Sequence, residues 1–228
     1  MLLSQTKQFD EMIDFLKSVH PVPGDLKNAI WSKTQLLKVR KRKHLLKAGE
    51  ICRDLYFIRK GMLRCYYYTR SGKEVSTWFM WENDVCVSIP SFYRQVAGYE
   101  YIQAIEDCEL ICIRYEDLYE LFHNYPGFNF IGRELLQKYL LDWALQLHDI
   151  RLLTTLERYE SLEERQSERF RRIPQKYLAT FLDMLPTSLS RIRRQRKEKG
   201  APRKKKGGQR KKKGAPRKKK GGPRKKKD

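Results

Sequence analysis

Apolar positions along the chain change period three times, and each change predicts a different kind of element. Phe9, Met12, Ile13 and Leu16 fall at helical spacing and predict a short helix over Phe9–Lys17, with a second over Leu26–Ser32. From Lys38 to about Tyr115 short apolar or aromatic runs take over: Leu55–Arg59, Leu63–Thr69, Val75–Trp81, Asp84–Ser88, Tyr101–Ile105 and Leu110–Arg114. Turn signals at Ala48-Gly49, Lys60-Gly61, Ser71-Gly72 and Asn83-Asp84 separate them at fairly regular intervals, the pattern of a small antiparallel barrel or jelly roll.

Helix returns after Pro126 with a period near 3.5. Leu136, Leu140, Trp143, Leu147, Ile150 and Thr154 alternate steps of four and three, while Arg133, Gln137, Asp142 and Arg151 fall outside that seam. Such a stripe suits a partner helix; the other use is packing on the chain's own barrel.

The segment QKYLATFLDMLPTSLSRIRR, Gln175–Arg194, reads as a helix-turn-helix. Leu178, Ala179 and Leu182 fit the inner face of a first helix, and Leu189 and Ile192 that of a second, with a break around Asp183–Leu185. Ala179 is small where two crossing helices must approach, and Pro174 and Pro186 each suit a helix start. Two positions depart from the ideal: Asp183 stands where Gly would supply a left-handed turn, a conformation Asp tolerates, and Leu185 precedes Pro186 where a Ser or Thr cap is expected. On the outer side the second helix carries Thr187, Ser188, Arg191, Arg194 and Gln195. Arginine can grip guanine with two hydrogen bonds, which makes Arg191 the first candidate for a base contact. Arg171, Arg172, Lys176, Arg193, Arg196 and Lys197 are candidate phosphate clamps; the bland reading of the cluster is a solvated basic face.

Charge follows the same division. Residues 1–150 carry 20 Lys/Arg against 19 Asp/Glu, residues 151–199 carry 13 against 7, and residues 200–228 carry 16 against one, so most of the net +22 lies at the end. That end is four near-copies of a seven-residue unit, GAPRKKK, GGQRKKK, GAPRKKK and GGPRKKK, with Asp228 after them. It has no apolar residue but Ala and is expected to be disordered, either a selected phosphate-binding tail or a sequence expansion.

Chemistry-bearing patterns are sparse. Five cysteines, none in a Cys-x-x-Cys pair, predict buried thiols, and His20, His44, His123 and His148 have no ligand spacing, so neither a metal nor a cofactor is expected. No His-x-His, phosphate loop, nucleophile elbow or His-Glu-x-x-His occurs, and no catalytic residue is assigned: the chain is not expected to be an enzyme, a cupin-like barrel enzyme being the weaker alternative. No apolar run approaches the ~20 residues that cross a bilayer, which places the chain in the cytoplasm with no membrane partner.

The order of these parts resembles the Crp/Fnr family of bacterial transcription regulators over about residues 10–197. KAGEICRDLYFIRKGMLRCYYYTRSGKEVSTWFMWENDV puts Gly49, Gly61 and Gly72 where that family's β-roll turns its strands, and IPQKYLATFLDMLPTSLSRIRRQ matches its helix-turn-helix. The resemblance implies an α+β chain. An antiparallel β-roll or jelly-roll effector domain of the cyclic-nucleotide-binding type occupies 1–125 and a dimerisation helix 126–156. A helix-turn-helix (winged-helix-like) DNA-binding domain follows over 157–199, and the basic tail over 200–228, expected to be disordered from its composition, lies beyond the resemblance. It further implies a homodimer that reads a palindromic site on double-stranded DNA, works with RNA polymerase and responds to a small-molecule effector. Members that bind cyclic AMP hold the ribose with Gly-Glu and the cyclic phosphate with Arg-Ser. This chain has Val85-Cys86-Val87-Ser88 near the first position and Gly98-Tyr99 near the second, so cyclic AMP is not the expected effector. Arg94 is expected to be a solvated loop arginine, and Trp78, Trp81, Phe92, Tyr93 and Tyr101 to be core. A sequence-indifferent basic nucleic-acid-binding protein is the competing reading.

Overall fold

The computed structural model describes residues 2–165 and 167–200, with the side chains of 9–165 and 168–194. Helices α1 (Leu2–Lys17) and α2 (Gly24–Lys33) lead into β1 (Thr34–Val39), β2 (His44–Leu46), β3 (Asp54–Lys60), β4 (Leu63–Tyr68), β5 (Glu74–Met80) and β6 (Asp84–Cys86). A short helix α3 (Ile89–Arg94) separates these from β7 (Tyr101–Ala104) and β8 (Cys108–Arg114). All pairings are antiparallel, and they close two four-stranded sheets in the orders β1-β8-β3-β6 and β2-β7-β4-β5, the expected roll. Its interior is filled by alternate strand residues such as Tyr56, Ile58, Leu63, Cys65, Ile102, Leu110 and Cys86. Four of the five free thiols are buried and Cys112 is half-buried.

Strands β1 and β2, helix α3 and a further helix after β8 were not visible in the pattern. β1 begins at Thr34 because it pairs along its whole length with β8, Thr34 opposite Ile113 and Val39 opposite Cys108, while its burial does not alternate cleanly enough to betray a strand. β2 is only three residues long. Helix α4 (Tyr115–Asn124) precedes α5 (Pro126–Leu152), so helix returns at Tyr115, before Pro126. Leu118 and Leu121 anchor α4 to the core and Glu116 and Asp117 sit in its positive first turn. The extended Tyr125, ahead of the proline, then breaks the two helices apart.

Beyond α5 the described residues are helical: α6 (Thr155–Arg165), α7 (Ser167–Arg172), α8 (Gln175–Phe181) and α9 (Pro186–Gly200). Thr154, expected on the α5 seam, instead caps α6. Its Oγ1 accepts from the Glu157 N–H at 3.3 Å and the Glu157 carboxylate accepts from its N–H at 2.7 Å.

This C-terminal module docks on the outer face of the β2-β7-β4-β5 sheet. Met62, Phe79 and Ile105 of the roll form one core with Tyr159, Phe170, Ile173, Tyr177, Leu178, Ala179, Leu182 and Leu189. Arg64, 2% exposed, crosses that junction. Its guanidinium donates to Glu74 Oε1 at 2.7 Å, Ser76 Oγ at 3.3 Å and Gln103 Oε1 at 2.9–3.1 Å, and lies 4.0 Å from the Tyr66 ring centroid and 3.5 Å from that of Tyr177. At the edge, Arg172 forks onto Glu82 (2.7 and 2.8 Å) and Glu106. It was expected to clamp phosphate; two roll carboxylates already occupy it. Ser76 and Thr180 exchange a 2.9 Å hydroxyl bond, and Lys73 reaches Asp183 at 2.6 Å.

Two predictions follow from this packing. Gly61 has φ +96, and a Cβ there would lie 2.6 Å from the Asp107 carbonyl oxygen and 2.7 Å from Cys108 Sγ, so Gly61→Ala is expected to cost about 2–4 kcal/mol. An unchanged denaturant midpoint for the roll would contradict it. The Arg172 fork pushes the Glu82 carboxyl from 4.5 down to about 2. A depressed acid stabilises the docked module fully above its unfolded value, and the contribution is lost as pH falls from about 4.5 towards 2. Acid titration followed by tryptophan fluorescence should show a transition in that window which Glu82→Gln removes.

Candidate nucleic-acid interface and effector pocket

The two helices of the C-terminal motif are built by short-range chemistry. Pro174 occupies the cap position of α8 and its carbonyl accepts from Leu178 N–H at 3.1 Å. At the far end Asp183 takes φ +52, the left-handed turn expected of it, and the Met184 N–H returns to the Ala179 carbonyl at 2.9 Å. That is a Schellman closure made without glycine, with Met184 packed against the same core. Pro186 starts α9, whose Leu189 N–H reaches back to the Leu185 carbonyl at 3.1 Å. Leu185 is 70% exposed and supplies no side-chain cap; Gln175 Nε2 instead ties α8 to the Pro186 carbonyl at 2.8 Å.

Burial of Leu189 and partial burial of Ile192 orient α9, leaving Thr187, Ser188, Arg191 and Arg194 exposed along one side of it. Spacings of one, four and seven residues keep these four on one helical face. The basic residues around them divide by environment. Arg193 is half-buried, 5.9 Å from the Phe170 ring centroid and hydrogen-bonded to Tyr159. Arg171 is exposed, and Lys176 is exposed above the Tyr177 ring at 4.5 Å. The side chains of Gln195, Arg196 and Lys197, and all of residues 201–228, lie outside those described.

Helix α5 presents two faces. Phe128, Ile131 and Leu135 pack on the roll core, Tyr139 Oη donates to Asp84 and accepts the Val85 N–H at 2.9 Å, and Gln146 donates to the Thr77 carbonyl at 3.1 Å. Away from the roll, Leu136, Leu140, Trp143, Leu147 and Ile150 are 55, 59, 60, 41 and 51% exposed. The stripe expected as a seam is thus separate from the face that meets the roll except at Ile150, which also lines a cavity between roll, α5 and C-terminal module.

Where cyclic-nucleotide-binding relatives would hold a ribose and a cyclic phosphate, this chain closes on itself. Ser88 Oγ donates to Glu100 Oε2 at 2.6 Å; Glu100 is largely buried, which raises its carboxyl pKa. A Cβ on Gly98 would stand 3.7 Å from that same Ser88 oxygen and 3.0 Å from Ser91 Cβ. Ser91 Oγ is occupied too, accepting from Cys52 N–H at 2.9 Å and donating to the Val96 carbonyl at 2.6 Å. Arg94 ends α3, on a helix and not in a loop, and is exposed. Glu100 thus places a carboxyl group beside Gly98-Tyr99, where the resemblance would put the phosphate-binding pair, a poor match for a phosphate. Glu100 escaped the sequence reading because a single acid just ahead of the Tyr101 strand run carries no motif. Phe92 is core, as expected, and Tyr101 stacks on Tyr66 at 4.8 Å, whereas Tyr93 is 43% exposed. Trp78 and Trp81 line a cavity between roll, α5 and C-terminal module instead of the roll interior alone.

Residues 36–125 match the family model for the cyclic nucleotide-binding domain. Comparison of the sequence with curated proteins gave no match. Among solved structures, the chain is similar to the c-di-GMP-responsive global regulator CLP of Xanthomonas campestris, with a TM-score of 0.63 and 16% identity over 76% of this chain and 91% of that one. It is similar to a regulator assigned to the Crp/Fnr family from Eubacterium rectale, at 0.62 and 18% over 78% and 85%. FixK2 of Bradyrhizobium japonicum gives 0.62 and 16% over 73% and 86%. At these identities the likeness is one of fold. Residues 36–125 are thus similar to a cyclic nucleotide-binding domain, in a chain that has the fold of the Crp/Fnr transcription regulators.

Proposed function

We propose that this chain is a homodimeric, DNA-binding transcription regulator that reads a two-fold symmetric site through α9. The observation that carries the reading is the exposed face of α9. Its apolar residues are locked into the module core, while Thr187, Ser188 and Arg191 stand in solvent with the donors a major groove accepts and Arg194 is exposed beside them. Arg191 reads a base; Thr187 and Ser188, near the helix N-terminus, contact bases or phosphate, Arg194 extends the same face, and Gln195 is a further candidate contact. Lys176 and Arg193 flank it toward the phosphates, Arg196 is a further candidate phosphate contact, and the 16 Lys/Arg of residues 200–228 add sequence-independent, salt-sensitive attraction. Dimerisation through Leu136, Leu140, Trp143, Leu147 and Ile150 removes a contiguous apolar stripe from water and sets two α9 helices on one duplex. No described helix is long and apolar enough to cross a membrane. A DNA partner assigns the protein to the cytoplasm, with RNA polymerase as its further partner. The effector is a molecule other than cyclic AMP, since Ser88 and Glu100 satisfy each other where its phosphate would sit.

Selection of bound fragments from random DNA is expected to return an inverted repeat with half-sites about one helical turn apart. Recovery of unrelated sequences would overturn the reading in favour of a sequence-indifferent basic protein. Arg191→Ala should lose about 1–3 kcal/mol of discrimination at one base pair of each half-site, with binding to random duplex little changed. Leu140→Glu with Trp143→Glu should convert a dimer in sedimentation to a monomer of unchanged helix content; a wild-type monomer would contradict the seam.

A further inference from the structure

A cavity of about 390 Å³ lies where the β5–β6 end of the roll, α5 and the C-terminal module meet. That volume falls within the range of small-molecule sites. Its walls are aromatic, with Trp78, Trp81, Tyr139 and Phe181 contributed by all three parts. Four acids and four cations also line it, but they are not equivalent. Every acid is already engaged: Glu82 with Arg172, Asp84 with Tyr139, Asp142 with Lys138, and Asp149 with Arg165. Two guanidinium groups pair with none of these four acids, though Arg158 also attracts the Asp183 carboxylate. Arg169 lies 5.0 Å over the Trp81 ring. Arg158 donates to Thr155 Oγ1 at 3.2 Å, and its Nε is buried with no hydrogen-bond partner. A buried guanidinium N–H without an acceptor costs free energy that an anionic oxygen would recover.

We infer that this cavity is the effector site, and that it takes a planar aromatic anion, its ring between the tryptophan walls and its acid group on Arg158 and Arg169. Aromatic faces accept any flat ring by stacking, and the surplus guanidinium charge selects an acid over its neutral counterpart. Because the walls belong to roll, α5 and module together, an occupant favours the arrangement in which they meet, which couples the ligand to the placement of α9. Only this last consequence rests on the regulator reading; occupancy of the cavity does not.

The test uses the full chain without DNA, so that its failure leaves the regulator reading standing and failure of DNA selection leaves the cavity standing. Calorimetric titration with 2-naphthoate and with neutral 2-naphthylmethanol is expected to give at least about tenfold tighter binding of the acid. Arg158→Gln should remove that preference while leaving the alcohol within about twofold, and Arg169→Gln, at an exposed position, should reduce it without touching the fold. Trp81→Leu should weaken both probes. Equal affinity for acid and alcohol would overturn the inference. So would unchanged naphthoate binding in both arginine variants, or loss of binding in Ser88→Ala with Arg158→Gln unaffected, which would move the site to α3.

Discussion

Arg64 is the constraint on which the arrangement of the two halves depends. A guanidinium 2% exposed is tolerated only when its donors are answered, and here the answers come from three strands and a helix: Glu74 and Ser76 of β5, Gln103 of β7, Tyr66 of β4 and the ring of Tyr177 from α8. Moving α8 away from the roll would uncover the charge together with Met62, Phe79 and Ile105. The buried cation thus gives the docked position a specificity that apolar contact alone lacks, since an apolar face can slide and a stacked guanidinium cannot.

With α8 held, other features have no freedom. Leu178, Ala179 and Leu182 are committed to the shared core, and the left-handed Asp183 turns the chain so that Leu189 returns to that core. The polar side of α9 is left outside. The same docking brings Arg169 over Trp81 and Arg158 to the wall of the same cavity, and it puts Arg172 between Glu82 and Glu106 instead of toward a nucleic-acid phosphate. Neutralising Arg172 moves the available positive charge of the module toward α9 and the residues after it.

How much of this was legible in the sequence depended on the range of the forces involved. Period-two runs and turn residues are local, so the roll was readable: Asn83 at φ +63 and Gly61 at φ +96 turn the strands where Asn-Asp and Lys-Gly announced it. Helix periodicity and the two prolines are also local and marked α5, α8 and α9, including the Asp183 turn. β1, whose strand character comes from pairing with residues some seventy positions away, left too weak a signal, and α4, only ten residues long and directly after β8, reads as the end of the strand region although Leu118, Leu121 and Phe122 fall at helical spacing.

Local chemistry in the chain by itself determined the element types, the apolar stripe of α5, the polar face of α9 and the absence of the Gly-Glu and Arg-Ser pairs at the family's cyclic-nucleotide positions. Tertiary structure alone decided which charges are available. Arg64, Arg158, Arg169 and Arg172 are the same residue type in sequence. Folding buries the first among acceptors and rings, aims the next two into a cavity, and saturates the last with two carboxylates. The physical reason is that an arginine's role is set by its distance to acceptors and to water, and those distances are non-local.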